Sequence, residues 1–570
     1  MSVSRAIICW TGAAAVISAP VSELRAQSQS SVETQIDVLF KEFEVTKPGC
    51  AVGVYRAGAV LFAKGYGLAD VAVNVPITPG TVFNIASLSK QFTAFAIALL
   101  ASESRLSLDD DIQKFVPELP RFASPITVRH LIHHTSGLRD YGSLMELTGW
   151  RLDQPLSKLD VIGMLKRQQG LNFTPGDRHE YNNTNYVLLA LIVERVSGQR
   201  FRDFAADRIF RPLDMTGTQV RDDPAGPIPK RAVNYTLRSS GGYAANRVWD
   251  LAYAAGVSNV HTSIEDLAKW DRNFYSPTVG NKALIETIYM SSTLSSGKST
   301  TYAYGLELGT HHAKRTISHS GVGGGSFYFL RLPEQRLSVA TLCNRYGVGP
   351  GAPDTWKLSH AVADIFLADA SKPSAIDTGA ELAPAIPVPA GVLARYAGTY
   401  WRAEGPPIII SLKDGSLVNL YDGKPYPMIP INSGKFRDAE GTAIYTFSGQ
   451  GDNTLTYHEI PTDYDVTGER RSQWMPTRAD LASVIGRYCT PDVPVCWSFL
   501  MVDENMVLRR PGFPDRTLKP AFADAFSTVD VDEIGTRSMR IVLERAHDSS
   551  ILGMKIFRGR VSGLAFKKAD

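Results

Sequence analysis

The stretch that begins at Phe83, FNIASLSKQFTAFAIALL, places a hydroxyl and an amine at the start of an apolar run. Ser87 and Lys90 are about one helical turn apart, so a helix here would put both side chains on one face. A serine hydroxyl becomes a good nucleophile only when a base takes its proton. Lysine can be that base if burial or nearby positive charge lowers its pKa from about 10.4. The pair predicts nucleophilic catalysis, and a helix start with a snorkelling lysine is the alternative.

The same spacing occurs a second time, at Ser295 and Lys298 in LSSGKST. This copy lies among Gly, Ser and Thr residues, and no apolar run follows it. It is therefore interpreted as a solvated loop, and Ser87 is the predicted nucleophile.

Two further motifs follow in a fixed order. Tyr181-Asn182-Asn183 precedes the helical pattern NYVLLALIVERVSG, and His319-Ser320-Gly321 lies in TISHSGVGGGSFYFLRL, a strand pattern that leads into glycines. The set Ser-x-x-Lys, Tyr-x-Asn and His-x-Gly resembles the penicillin-recognising serine hydrolases. That group includes class C β-lactamases, low-molecular-weight D,D-peptidases, related esterases and D-aminopeptidases. The resemblance covers about residues 33–366.

The resemblance implies a role for each motif residue. Ser87 would be acylated, and Lys90 and Tyr181 would share the proton transfers, with the choice of base left open. Asn183 would contact Lys90 and the substrate amide. His319 takes the place that lysine holds in the β-lactamases.

The remaining implied roles concern the backbone around the nucleophile. The N–H groups of Ser87 and Val322 would form the oxyanion hole, and Gly321 would let its strand approach the substrate closely. Asn182 stands where many relatives have serine, a difference that we expect to alter the hydroxyl network around Tyr181.

The elements that must position these residues follow from the pattern of apolar residues. CAVGVYRAGAVLFAKGYG predicts a β-hairpin, helical patterns dominate to about residue 275, and strand patterns return in TISHSG, GSFYFLRL and RLSVATLCN. Strands at both ends with helices between them predict one antiparallel sheet with helices packed on it and an α-rich insertion. The predicted fold class is α/β (α+β), in a β-lactamase-like serine hydrolase domain over residues 27–370.

A second architecture is predicted after a Pro/Ala-rich linker at 371–390. LARYAGTYW from Leu393 and LASVIGRYC from Leu481 are related copies, and MIPINSGKFRD and LKPAFADAFST are a second related pair. We predict two small antiparallel β-barrel (lipocalin-like) modules, at 391–476 and 477–570, because closure removes exposed sheet edges. Two sandwiches are the alternative.

Composition and the N-terminus limit the classes of function. The chain has 570 residues and a net charge of +3, and no local basic block indicates nucleic-acid binding. Residues 1–26 predict a signal peptide for export to the periplasm or outside the cell, with an uncleaved N-terminal helix as the alternative. No later apolar run is long enough for a membrane span.

Four cysteines follow the predicted signal peptide. In the fold that the resemblance implies, the strands of Cys50 and Cys343 are antiparallel neighbours whose opposite ends meet, which predicts a disulfide. Cys489 and Cys496 flank TPDVP and predict a second disulfide that closes a small loop. Four free thiols are the alternative.

Two groups of histidines are candidate metal ligands: His130, His133 and His134, and the adjacent pair His311 and His312. No H-E-x-x-H motif accompanies either group, and no cysteine pair has metal-site spacing. The sequence therefore predicts no metal and no cofactor.

The resulting functional hypothesis is an amide or peptide hydrolase of D-aminopeptidase or D,D-peptidase type that acts through an acyl-enzyme. Its partner would be a small-molecule or short-peptide substrate, and the oligomeric state is left open. An esterase or a β-lactamase with the same chemistry is the alternative, and a receptor that is acylated without turnover is a third hypothesis. His319 argues against a specialised β-lactamase, because a fixed cation suits a carboxylate better than a titrating imidazole does.

The last module is predicted to help select the substrate. In the D-aminopeptidases that this layout resembles, a loop of the last barrel reaches the cleft. The matching stretch is STVDVDEIGTRS, where Asp530, Asp532 and Glu533 would bind a free substrate amine. A solvated hairpin tip is the alternative.

Overall fold

The structure is a computed structural model that describes residues 31–569 except 44, 151–153, 224–225, 239–240, 247–255, 347–352, 369–383, 403–406, 422–423, 440, 442, 460–463 and 533–534. The predicted signal peptide at 1–26 and most of the predicted linker lie outside these residues. None of the helices in the described residues has the length and apolar character needed to cross a membrane.

The first part of the chain is built around an antiparallel sheet. The strands of this region, some of which form separate small sheets, are β1 (Cys50–Arg56), β2 (Ala59–Tyr66), β3 (Leu68–Asp70), β4 (Val75–Pro76), β5 (Phe83–Asn84), β6 (Gln219–Val220), β7 (Tyr235–Leu237), β8 (Tyr243–Ala245), β9 (Val260–Thr262), β10 (Glu307–His311), β11 (Lys314–Val322), β12 (Ser326–Leu332), β13 (Leu337–Cys343) and β14 (Arg345–Tyr346). The main sheet has the order β10-β11-β12-β13-β1-β2. Strands from both ends of this region therefore share one sheet, as predicted.

Most helices of this region lie between β2 and β10 in the sequence, while one precedes β1 and one follows β14. They are α1 (31–39), α2 (Lys90–Ser102), α3 (Val128–Ile132), α4 (Tyr141–Leu147), α5 (Lys158–Leu165), α6 (Asn183–Ser197), α7 (Phe201–Ala205), α8 (Ile264–Asn273), α9 (Lys282–Ile288) and α10 (Thr355–Leu367). The 3₁₀ turns Ala86–Ser89 and Ile112–Lys114 and a π-helical turn, Ala206–Phe210, complete the set. Helix α2 is buried from Lys90 to Leu100 and packs against α6, so the helix that follows Ser87 lies in the core.

Both predicted disulfides are confirmed. Cys50 and Cys343 are direct register partners on β1 and β13, and their Cα atoms are 4.0 Å apart. Cys489 and Cys496 are register partners in the last module, with Cα atoms 4.2 Å apart. Both separations satisfy the limit of about 7 Å for a disulfide.

The C-terminal region contains two sheets of nine strands, each nearly closed into a barrel. The first has helix α11 (Ala390–Tyr396) and strands β15 (Gly398–Arg402), β16 (Ile408–Lys413), β17 (Ser416–Tyr421), β18 (Lys424–Pro427), β19 (Ile429–Asn432), β20 (Lys435–Arg437), β21 (Ala443–Ser448), β22 (Thr454–Glu459) and β23 (Tyr464–Arg470). The second has helix α12 (Arg478–Val484) and strands β24 (Gly486–Thr490), β25 (Val495–Val502), β26 (Asn505–Arg509), β27 (Arg516–Thr517), β28 (Lys519–Pro520), β29 (Ala525–Asp532), β30 (Gly535–Arg545), β31 (Ile551–Arg558) and β32 (Val561–Ala569).

The predicted internal repeat is confirmed by the equivalent topology of these sheets. The first strand pairs with the last in each, β15 with β23 and β24 with β32. The matched residues Tyr400 and Tyr488 are buried, and each hydroxyl donates to a backbone carbonyl four residues earlier, at the end of the preceding short helix. Each copy thus uses one tyrosine to fix its helix to its first strand.

Candidate active site

Ser87 lies in the 3₁₀ turn Ala86–Ser89, and Lys90 is the first residue of α2. A 3₁₀ turn has three residues per turn, so side chains at i and i+3 eclipse each other. Accordingly, Lys90 Nζ lies 3.0 Å from Ser87 Oγ. Ala86, immediately before the serine, has a φ of 47°, a left-handed conformation that strains a residue with a Cβ. The predicted pair is therefore brought together by a tight turn ahead of the helix.

Lys90 is fully buried, and its surroundings favour the uncharged amine. Burial lowers the pKa of Lys90 well below its usual value, and the positive charge of Arg560 lowers it further, while Asp140 opposes the change. The amine donates to the Val257 carbonyl at 3.2 Å and lies 4.8 Å from the centre of the Tyr181 ring. No carboxylate forms an ion pair with it in the part of the chain that the structure describes.

The pKa of Tyr181 is shifted in the opposite direction to that of Lys90. Burial raises the pKa of its phenol well above the usual value, and contact with the Ser87 hydroxyl partly opposes this increase. The hydroxyl has no partner at normal hydrogen-bond geometry among the described residues. Tyr181 is therefore a protonated phenol at neutral pH, next to an amine that favours its uncharged form.

Asn182 and Asn183 begin helix α6. Asn182 is the N-cap, because its side-chain oxygen accepts from Thr184 N at 2.8 Å. Asn183 lines the cleft, and its backbone N–H donates to Asp140 Oδ2 at 2.9 Å. Within the described residues its side chain makes no hydrogen bond with Lys90, the contact that the resemblance implies.

His319 lies on β11 as a neutral imidazole. Its Nδ1 is 2.6 Å from the Ser320 carbonyl oxygen, which can only accept, so Nδ1 carries the hydrogen. Its Nε2 then accepts from the Tyr302 hydroxyl at 2.9 Å. Burial, followed by the charge of Lys90, lowers the pKa of His319 to about 3. His319 therefore cannot supply a positive charge at neutral pH.

Gly321 and Val322 end β11 beside the segment that carries Ser87. A Cβ at Gly321 would lie 2.4 Å from the Ile85 carbonyl oxygen, so this glycine is needed where β11 crosses the segment before Ser87. The close approach is to the protein's own backbone, whereas the resemblance implies a close approach to substrate. Val322 is exposed and lines the cleft near Ser87.

A cleft of about 950 Å³ joins these residues to both C-terminal modules. The first module supplies Arg402, Asp465, Val466 and Thr467 to its lining. The second supplies the turn Gly559–Arg560, where the Arg560 guanidinium lies 4.9 Å from the centre of the Tyr181 ring. Tyr302 and Arg560 are not predicted from the sequence, because neither belongs to a local motif.

The hairpin predicted to bind a substrate amine is only partly described. Asp530 and Asp532 belong to β29, opposite Arg537 and Gly535 on β30. The side chains of both aspartates, and the whole of Glu533, lie outside the described residues. Among described residues, the β31–β32 turn is the part of this module that lines the cleft.

Comparison with known proteins gives a consistent assignment. Residues 36–364 match the family described as Beta-lactamase. Penicillin-binding protein 4* of Bacillus subtilis (strain 168) is 30% identical over 304 residues, which cover 51% of this chain and 66% of that protein. A D-aminopeptidase of Gluconobacter oxydans (strain 621H) is 28% identical over 300 residues, which cover 52% of this chain and 56% of that protein. The chain thus spans less than two thirds of the length of the curated relatives it matches.

Solved structures also match nearly the whole chain, and one of them illustrates the likeness. The octameric penicillin-binding protein homologue from Pyrococcus abyssi has a TM-score of 0.50 and 20% identity, and the match covers 94% of this chain and 99% of that one. At this identity the match supports the fold alone, including the two C-terminal sheets. The family match extends over more than half of the chain and contains the Ser87, Lys90, Tyr181 and His319 constellation, so this chain belongs to the Beta-lactamase family.

Proposed function

We propose that this protein is a serine hydrolase that forms an acyl-enzyme on Ser87. One observation carries the proposal: a fully buried lysine amine with a lowered pKa lies 3.0 Å from the Ser87 hydroxyl oxygen. This is the geometry that a general base needs to activate a serine. Solvated lysines remain charged at neutral pH and cannot accept that proton.

The shifts in pKa divide the proton transfers between two groups. Neutral Lys90 accepts the Ser87 proton as Ser87 Oγ bonds to the substrate carbonyl carbon. Tyr181 is protonated at the start of the reaction, because its pKa is raised. Its hydroxyl donates a proton to the leaving nitrogen and takes a proton from Lys90 in the same step. The bond to the leaving group then breaks, and water cleaves the acyl-enzyme by the reverse relay. Lys90 is therefore our proposed base, and Tyr181 the proposed relay.

The remaining site residues stabilise and orient the substrate. Backbone N–H groups of Ser87 and Val322 are our proposed oxyanion donors, since both residues line the cleft. Asn183 is placed to contact the substrate amide from the start of α6. His319 acts as a neutral partner that holds Tyr302.

The charges of the cleft favour a substrate that carries a carboxylate. His319 is neutral, so Arg560 is the cation that faces Tyr181. The other basic residues that line the cleft are Arg178, Lys298 and Arg402. Arg178 pairs with Glu180 at 3.6 Å, and Lys298 pairs with Asp465 at 3.1 Å. Arg560 lies 3.9 Å from Asp140, whose carboxylate already accepts from two backbone N–H groups. Among the two peptidase types, we therefore propose the D,D-peptidase type, which acts near a free carboxylate.

The experiment is a hydrolysis panel on the purified protein. It compares peptides that end in D-Ala-D-Ala, free or amidated at the carboxyl end, with D- and L-aminoacyl anilides, short-chain esters and a chromogenic cephalosporin. We expect turnover of the free D,D-peptide, reduced by several orders of magnitude in Ser87→Ala and unchanged in Ser295→Ala.

Other outcomes would change the proposal in defined ways. Selective turnover of D-aminoacyl anilides would favour the aminopeptidase type, and turnover of esters or the cephalosporin alone would favour the esterase or β-lactamase alternative. Labelling of Ser87 without release of the acyl group would indicate a receptor. Loss of activity in Ser295→Ala, but not in Ser87→Ala, would refute the assigned nucleophile.

A further inference from the structure

We propose that His311, His312 and Asp364 form a binding site for a divalent transition metal of the zinc class. His311 Nε2 lies 2.6 Å from Asp364 Oδ1, and His312 Nε2 lies 3.1 Å from the same oxygen. The three potential ligand atoms are all within 4.8 Å of one another. Two imidazole nitrogens and one carboxylate oxygen thus converge on a single point.

The backbone holds this arrangement from two different elements. His311 ends strand β10, and His312 and Ala313 form the turn to β11, with φ values of 47° and 57°. Asp364 lies one turn before the end of α10, which packs on strands β12 and β13. Adjacent residues of an extended strand point in opposite directions, and the left-handed turn at His312 lets both rings face the same helix.

The neighbours of the cluster suit a cation. The His360 ring centre lies 4.6 Å from that of His311, so this ring packs against one side of the cluster. Its Nδ1 donates to the Trp356 carbonyl oxygen at 2.9 Å. The side chains of His311, His312 and Asp364 are 14%, 25% and 36% exposed, so water can reach a bound ion.

The donor set matches zinc chemistry. Zn²⁺ is held by His nitrogen and carboxylate oxygen at about 2.0 to 2.2 Å, which places tetrahedral ligand atoms about 3.3 Å apart. The observed separations of 2.6 and 3.1 Å are close enough to that spacing for small side-chain rotations to complete it. Three protein ligands leave a fourth position for water. A bound metal would replace the hydrogen bonds that now join the two rings to Asp364.

The ion would act as a structural tie, separate from the proposed catalytic residues. Strand β10 is an edge of the six-stranded sheet, and its other end, Glu307, lines the cleft. His311 is about 13 Å along the strand from Glu307 at a rise of about 3.3 Å per residue. A bound metal would fasten this edge strand to α10. The sequence alone predicts no metal here, because Asp364 is more than 50 residues away and belongs to no motif.

The test is metal binding by the untagged, chelator-treated full chain. We expect calorimetry to show one Zn²⁺ bound per chain, and we expect Zn²⁺ to raise the melting temperature. Co²⁺ should give the visible absorption of tetrahedral coordination. His312→Ala and Asp364→Asn should each weaken Zn²⁺ binding by more than about 100-fold, because loss of an outer partner alone costs about 10- to 100-fold.

His547→Ala is the matched control, because it removes an exposed histidine outside the cluster. It should bind Zn²⁺ like the unmodified protein. If the unmodified protein binds Zn²⁺ no more tightly than His312→Ala, the three side chains form only a hydrogen-bonded cluster and the proposal is wrong. Circular dichroism of the metal-free variants tests whether they are folded, so that weaker Zn²⁺ binding can be distinguished from unfolding.

Discussion

Burial of Lys90 lowers the stability of the folded protein, and it places the amine beside Ser87, where we propose that it acts as the base. Each unit by which its pKa is lowered corresponds to about 1.4 kcal/mol of preference for the neutral form. The unfolded chain binds a proton at Lys90 up to about pH 10.4, while the folded chain has lost it at a lower pH. Relative to a residue that never ionises, Lys90 destabilises the fold increasingly as the pH falls from about 10.4 toward its lowered pKa.

Lys90→Met is therefore expected to separate stability from activity. Met has a similar length and no charge, so the free energy of unfolding at pH 7 should rise by at least about 1 kcal/mol. Turnover should fall by several orders of magnitude, because nucleophile and base act as one unit. Urea unfolding and hydrolysis rates measure the two effects, and Lys298→Met, at an exposed lysine, is the control for stability. An active Lys90→Met variant would rule out Lys90 as the base.

Arg560 is expected to set the pH at which the enzyme becomes active. Activity should rise with pH as Lys90 loses its proton, and Arg560 lowers the pKa of Lys90. Arg560→Gln removes that positive charge, so the rising limb of kcat/KM should move to higher pH. Arg487→Gln, an exposed substitution on β24 of the same module, should leave the limb in place. A limb that moves to lower pH, or does not move, would contradict the electrostatic role.

Among the secondary-structure elements, strand β11 packs closely against the segment that leads into the 3₁₀ turn before α2, and this contact shapes the candidate site. Strand β11 carries His319 and Val322, and it crosses the Ile85 carbonyl at a distance that only glycine permits. Ile85 directly precedes the 3₁₀ turn that holds Ser87. The separation of these two elements therefore fixes the distance from the proposed nucleophile to the proposed oxyanion donor at Val322.

Gly321→Ala is expected to lower kcat more than a simple loss of stability explains. The new methyl would meet Ile85 O at 2.4 Å, so the strand must move away from Ser87. A misplacement of about 1 Å can reduce a rate about 100-fold. Gly163→Ala is the matched control, because Gly163 is exposed in α5 and nothing lies within 4 Å of the added methyl. This variant should be more stable than the unmodified protein by about 0.5 to 1 kcal/mol. Unchanged kcat in Gly321→Ala would show that the contact does not matter for catalysis.

At the scale of the molecule, the last module docks beside the site through a buried ion pair. Arg139 and Asp492 are 2.7 Å apart, and each side chain is only 6% exposed. Asp492 lies in the loop that the Cys489–Cys496 disulfide closes, and it also accepts from Gln169 N at 3.1 Å. From the same module, the Arg560 carbonyl accepts from Asp140 N at 3.2 Å. The contact that docks the loop and the contact that positions Arg560 are therefore made by the consecutive residues Arg139 and Asp140.

Asp492→Ala is expected to destabilise the assembled molecule by about 3 to 5 kcal/mol, because it leaves Arg139 buried without its carboxylate. Asp515→Ala removes the partner of Arg509 in an exposed pair of the same 2.7 Å separation, and should change stability by about 0 to 1 kcal/mol. Urea unfolding measures both. Equal effects in the two variants would show that the buried pair contributes no more than a surface one.

The Cys50–Cys343 pair was predicted from the fold that the family resemblance implies. The amino-acid sequence alone established the family motifs, the mixed order of strands and helices, the repeat of two β modules and the short-range Cys489–Cys496 pair. These features depend on local periodicity or on residues in recognisable contexts, such as Ser87 before an apolar helix. The tertiary structure was needed for the charge states of Lys90 and His319, because burial lowers the pKa of both side chains and Arg560 lowers that of Lys90 further. It also brought Asp364 to His311 and His312, and the Gly559–Arg560 turn to the cleft. Such contacts join residues tens to hundreds of positions apart, and no local pattern encodes the packing that brings them together.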